Sequence, residues 1–117
     1  MKKDDLPYLN HILDAISLLE KYSEGVTYED LLADHLLQDG FTRQLEIIGE
    51  ATKNLSDGIK EKYPDIEWRE VAGMRDRLIH CYFGVNLNEV WDTVKEDIPG
   101  LKKKIIGMRD KLRSDRG

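Results

Sequence analysis

Between Leu6 and Leu112 the apolar residues of this chain return every three or four positions, and nowhere do they alternate long enough to make a strand. That is the period of a helix face, so the chain is expected to be all-α. Leu6, Leu9, Ile12, Leu13, Ile16 and Leu19 mark a first helix, which Gly25 ends. Thr27, with Asp30 three residues on, has the form of a capping box and opens a short turn from Thr27 to Leu37. Gly40 then separates that turn from a second helix, stepped by Phe41, Leu45, Ile48, Thr52, Leu55 and Ile59 and ended by Pro64. A third helix is expected from Ile66 to Tyr82, with Gly84 marking its end. Asn86 with Glu89 restarts the chain as a fourth helix, which runs through Val90, Val94, Ile98, Leu101, Ile105, Met108 and Leu112 with a bend at Pro99–Gly100. Short connections favour antiparallel neighbours. The expected architecture is an up-and-down bundle of four to five helices in a single domain, residues 1–117.

A bundle this small cannot hide every apolar face. The stripe of the fourth helix is a near-heptad seam with Trp91 and Ile106 beside it, some apolar surface of the bundle is left for a partner, and a homodimer is the economical expectation. No apolar run approaches the roughly 20 residues needed to span a bilayer. Acids and a proline stand at the N-terminus where a signal peptide would carry its apolar stretch, so no membrane association and a cytoplasmic location are expected. The lone Cys81 fits a reducing compartment. Charge is unevenly spread: the formal net charge is −5, yet the segment from Lys102 onward carries +5, which leaves −10 on the rest. An acidic body argues against tight nonspecific nucleic-acid binding, although the basic tail can touch a phosphate backbone.

Glycine-rich phosphate loops, dinucleotide fingerprints and nucleophile elbows are absent, and no cofactor is expected. His11, His35 and His80 lie far apart in sequence, and no metal site is expected. Glu46 and Glu50 share a helix face and can hold a divalent ion, but Arg43 three residues before Glu46 explains the same spacing as an ion-pair ladder. These three are structural or secondary site candidates.

Chemistry concentrates where the third helix is expected to end. Arg75, Asp76, Arg77, His80 and Tyr82 fall within eight residues. At 100° per residue Arg75 and Tyr82 share one face, and Asp76 and His80 another, where the carboxylate can orient the imidazole. Arg75 and His80 stand about 140° apart on a straight helix. They meet at one ligand only if the helix distorts or a second copy completes the site. Two such helix ends across a two-fold axis would line one cleft with two arginines and two histidines. That set suits metal-free cleavage of RNA, in which the 2′-hydroxyl is the nucleophile and the protein moves protons and stabilises charge. Taken alone, a helix-end histidine beside an aspartate is more often structural than functional.

Arg75-x-x-x-x-His80-x-Tyr82, with a polar residue after the arginine, resembles the signature of the HEPN superfamily, and within it the HepT toxins of the HEPN–MNT toxin–antitoxin systems. Phe41–Ala51, Tyr63–Trp68, His80–Asn86, Val90–Trp91 and Asp97–Pro99 resemble the same family, so the resemblance runs from about Leu6 to Ile106. It implies a HEPN-like homodimer and a metal-independent endoribonuclease acting on mRNA or tRNA, with catalytic Arg75 and His80 and supporting Asp76 and Arg77. It also implies a cognate MntA-like nucleotidyltransferase antitoxin that neutralises the toxin by adenylylating Tyr82. Two readings stand beside it: a noncatalytic helical module that binds a nucleotidyltransferase, and a nucleotide-binding bundle in which Arg75 and Arg77 grip a phosphate.

Overall fold

The computed structural model describes residues 4–74, 76, 77 and 87–115, and among these there is no strand. Three long rods carry the core. Helix α1 (Leu6–Ser23) buries Leu9, Ile12, Leu13, Ala15, Ile16 and Leu19. It packs along α3 (His35–Lys53) on one side and α7 (Ile98–Asp115) on another. Three short helices connect the rods: α2 (Tyr28–Ala33), α4 (Asp57–Lys62) and α5 (Trp68–Ala72). Helix α6 (Leu87–Asp92) leads through a π turn (Thr93–Asp97) directly into α7. These residues rise about 43 Å at 1.5 Å each, which accounts for most of the 47 Å long axis.

Local chemistry explains the start of α2. Thr27 Oγ1 accepts from the Asp30 amide at 3.1 Å and Asp30 Oδ2 accepts from the Thr27 amide at 3.0 Å, so the expected capping box is formed at α2. Gly25 follows α1 at φ +70°, a conformation that side-chain-bearing residues resist.

Gly40 does not separate two elements, contrary to expectation. Asp34 Oδ1 caps α3 by accepting from the Leu37 amide, and Gln38 Nε2 donates to the Leu31 carbonyl at 2.9 Å, so the helix begins at His35 and runs through Gly40. The glycine serves packing instead: a Cβ there would stand 3.3 Å from the Tyr22 ring, so its absence lets α1 and α3 approach closely. Nor does that helix reach Pro64. It ends at Lys53, and Ser56 caps a separate α4, which itself ends at Lys62. Leu55 and Ile59 nevertheless keep the stripe's spacing, because both are buried against the same core.

The expected helix from Ile66 to Tyr82 is interrupted at Gly73, a turn residue after α5. The Trp68 indole fixes the approach to it by donating to the Lys60 and Tyr63 carbonyls at 3.1 and 3.0 Å. The expected end at Tyr82 and Gly84, and the restart at Asn86, lie outside the described residues. On the fourth helix the expected disturbance at Pro99–Gly100 takes the form of the π turn just before it, with the Ile98 amide bonding to the Thr93 carbonyl. Pro99 has no amide hydrogen to offer the Lys95 carbonyl, and the wider turn absorbs that loss.

The stripe of this last rod is not surplus surface. Val90, Val94, Ile98, Ile105 and Met108 are buried, and Leu101, Ile106, Leu112 and Trp91 pack half-buried against them. Large exposed apolar residues lie elsewhere among the described residues: Leu18, Leu32 and Leu36, the last 81% exposed. Leu36 borders a shallow pocket of about 530 Å³ with Tyr22, Leu37 and Gly40.

One polar tie closes the bundle end to end. Asp5 is buried, and its carboxylate accepts from the Ser56 amide at 2.7 Å and from the Ser56 hydroxyl at 2.6 Å. The same hydroxyl accepts from the Ile59 amide and so caps α4. Charge-assisted bonds of this kind contribute about 1.5–3 kcal/mol, and their loss leaves buried donors unpaired. Asp5→Ala should therefore destabilise the fold by about 2 kcal/mol, read as a lower urea midpoint at unchanged slope. An unmoved midpoint would refute that account.

Candidate active site

Arg75, His80 and Tyr82 lie outside the described residues, as does Cys81. Asp76 and Arg77 are described, and so is the chain on either side of the motif, α5 before it and α6 after it. Asp76 is exposed. Arg77 is placed by its backbone and its side chain together. Its amide donates to the Gly73 carbonyl at 3.1 Å. One guanidinium nitrogen, Nη1, stands 3.6 Å from Glu70 on α5 and 3.6 Å from Glu89 on α6. The other, Nη2, lies 3.5 Å from the Glu70 carbonyl, the long limit of a hydrogen bond.

Beside this arginine lies a cleft of about 430 Å³ between the α5 region and the start of α7. Its apolar wall is Ile66, Val71, Met74, Ile98 and Leu101, and among the described residues its rim carries Asp65, Glu67, Glu70, Glu96 and Asp97 against Arg77 and Lys104. Lys104 is held by Asp65 at 3.1 Å. Glu67, Glu96 and Asp97 have no cationic partner among the described residues. Among the described residues this rim is acidic, a charge that disfavours a phosphate chain there.

On α3, Arg43 pairs with Glu46 at 3.8 Å and Glu50 with Lys53 at 4.0 Å, both toward solvent. Among the described residues no three His, Cys, Asp or Glu side chains are grouped to hold a metal ion. His11 meets the Tyr8 ring edge-on at 6.0 Å, and His35 opens α3. No helix among the described residues is long and apolar enough to cross a membrane.

Sequence reasoning misses Glu70 and the acidic rim, and it reads Glu89 only as a helix-start signal. The Glu70–Arg77 spacing of seven, two helical turns, was the available clue. Nothing local links Arg77 to Glu89, since the pair depends on how the chain returns.

The ribonuclease HepT-like family profile matches residues 12–108, a span that includes the whole motif. The chain is 49% identical over 109 residues to "Probable ribonuclease HepT" of Thermococcus cleftensis, covering 93% of this chain and 99% of that one. It is 47% identical over 103 residues to a "Putative RNase" of Caldanaerobacter subterraneus, covering 88% and 92%. Over 112 residues it is also 49% identical to "Gamma-glutamylcyclotransferase and putative RNase" of Methanocaldococcus jannaschii. There it covers 96% of this chain but spans only half of the relative. No solved structure matches.

Proposed function

Because the chain belongs to the ribonuclease HepT-like family, we propose that it is a metal-independent endoribonuclease, the toxin of a HEPN–MNT toxin–antitoxin pair. The observation that carries this reading is the family match across nearly the whole chain with Arg75, His80 and Tyr82 at the spacing of the motif. The protein works in the cytoplasm as a homodimer, and the motif segments of two copies share one groove. One His80 imidazole takes the proton of an RNA 2′-hydroxyl as that oxygen attacks phosphorus. The bond from phosphorus to the 5′-oxygen breaks, and the second copy's imidazolium gives that oxygen its proton. A 2′,3′-cyclic phosphate and a 5′-hydroxyl result, with no water consumed. The planar Arg75 fork balances the charge that builds on the phosphoryl oxygens. A nucleotidyltransferase antitoxin ends the activity by attaching AMP to Tyr82.

The second reading, a noncatalytic module that binds a nucleotidyltransferase, has the carboxylate-rimmed cleft in its favour, because that surface suits a cationic protein segment better than RNA. Expression of the chain alone separates the two. Growth arrest with RNA fragments ending in cyclic phosphate is the expected result, and normal growth with intact RNA favours the module. Light scattering on the purified protein should give twice the 13.6 kDa of one chain. A monomer that still cuts RNA would remove the shared groove from the mechanism.

A further inference from the structure

We propose that Arg77 is a positioning residue of this ribonuclease site: with Glu70 and Glu89 it forms a strap that ties together the two ends of the motif segment. The inference rests on the ribonuclease reading above. Glu70 precedes the motif on α5 and Glu89 follows it on α6, and the same guanidinium nitrogen stands 3.6 Å from each. Arg75 lies two residues before Arg77 in sequence and His80 three after it. A contact that ties Arg77 to both flanking helices therefore acts within a few residues of chain from both proposed catalytic residues.

The alternative role for Arg77 is to grip the RNA phosphate directly. Its surroundings argue against that. Two carboxylates stand against its charge, and a phosphate would have to compete with them beside a rim that is acidic among the described residues. The three side chains are 41–64% exposed, so these are surface ion pairs that add little to the stability of the fold. Their value lies in placement, because a small misplacement of catalytic groups costs rate steeply even where the fold is intact.

The two roles make opposite predictions for Glu89. If Arg77 grips phosphate, removing Glu89 frees the guanidinium and tightens RNA binding. If Arg77 is a strap, removing Glu89 loosens the site just as removing Arg77 does. The test measures kcat and KM on a short RNA oligonucleotide, at several salt concentrations, for wild type, Arg77→Gln, Glu89→Gln, the double variant and Arg77→Lys. Each glutamine variant should lower kcat about tenfold with KM within about twofold of wild type. The double variant should be no worse than either single one, because the two residues act through one contact. Arg77→Lys, which still sets a cation between the two carboxylates, should keep most of the rate. Circular dichroism should be unchanged throughout. A Glu89→Gln variant with lower KM and unreduced kcat, beside an Arg77→Gln variant with higher KM and a flatter salt dependence, would overturn the strap and make Arg77 a phosphate ligand. Additive losses in the double variant would overturn it too. A wild-type chain with no cleavage at all fails at the ribonuclease reading itself, and the strap falls with it.

Discussion

His80→Ala is expected to cut RNA at least about 100-fold more slowly than the wild-type chain while melting at the same temperature. In the proposed dimer the substitution would remove two groups at once, the base that takes the 2′-hydroxyl proton and the acid that protonates the leaving 5′-oxygen. Positioned proton transfer contributes about 100- to 10,000-fold to a rate, and here both directions of transfer rest on the same residue number. Arg75→Lys should fall by about 100- to 1000-fold, the usual cost of one lost transition-state contact, because a lysine keeps the charge but not the planar two-point fork. EDTA should change nothing, since the proposed mechanism passes neither proton transfer nor charge stabilisation through a metal ion. Gel assays of a labelled RNA with wild type, the two variants and EDTA-treated wild type decide the matter. Undiminished cleavage by His80→Ala, or complete loss of cleavage in EDTA, would falsify the mechanism.

What could be read from the sequence here is short-range chemistry, and what could not is the competition between distant groups. The Thr27–Asp30 box was legible because its two hydrogen bonds need only four residues, and it stands as expected. The all-α bundle followed from the stripe of apolar residues, which demanded burial on one face. The same stripe misled at Leu55 and Ile59, because burial is blind to a break in the backbone between them. That break is set by Ser56, which takes up the far end of the chain through Asp5, a partner that no local pattern points to. Gly40 misled for a related reason: glycine suits a helix boundary, but it also suits a crossing where a Tyr22 ring comes within 3.3 Å of a would-be Cβ. The seam on the last helix reads as a face for a partner because the sequence does not say what the other helices will cover: α1 packs along α7, and α2 and α3 meet α6. At the candidate site the motif could be read directly, whereas the carboxylates around Arg77 come from α5 and α6 and meet only in the fold. Their presence changes the reading of that arginine from a free phosphate ligand to a bound one.

Tyr82→Phe is expected to leave a toxin that folds, cuts RNA and cannot be silenced by its antitoxin. Tyr82 stands two residues beyond His80, and at helical steps it falls on the face of Arg75. Transfer of AMP from ATP to the phenol forms an oxygen–phosphorus bond at the tyrosine and releases pyrophosphate. The product carries a negative phosphate and a purine two residues from His80 in sequence, at the mouth of the proposed groove. The phosphate can then pair with Arg75 and occupy the place of the RNA phosphate, while the purine blocks entry, so silencing needs no refolding. Arg77 is the weaker partner for that phosphate, because Glu70 and Glu89 already hold it. Phenylalanine keeps the ring and nearly all of its packing but has no oxygen to accept the AMP. Cells that carry Tyr82→Phe beside an active cognate transferase should therefore stop growing, where cells with the wild-type pair grow. Mass spectrometry of the wild-type toxin from those cells should find the added AMP on Tyr82. If the wild-type toxin is neutralised while unmodified, or if Tyr82→Phe is silenced equally well, control is by binding alone. The carboxylate-rimmed cleft beside Arg77 is then the surface on which to seek the antitoxin.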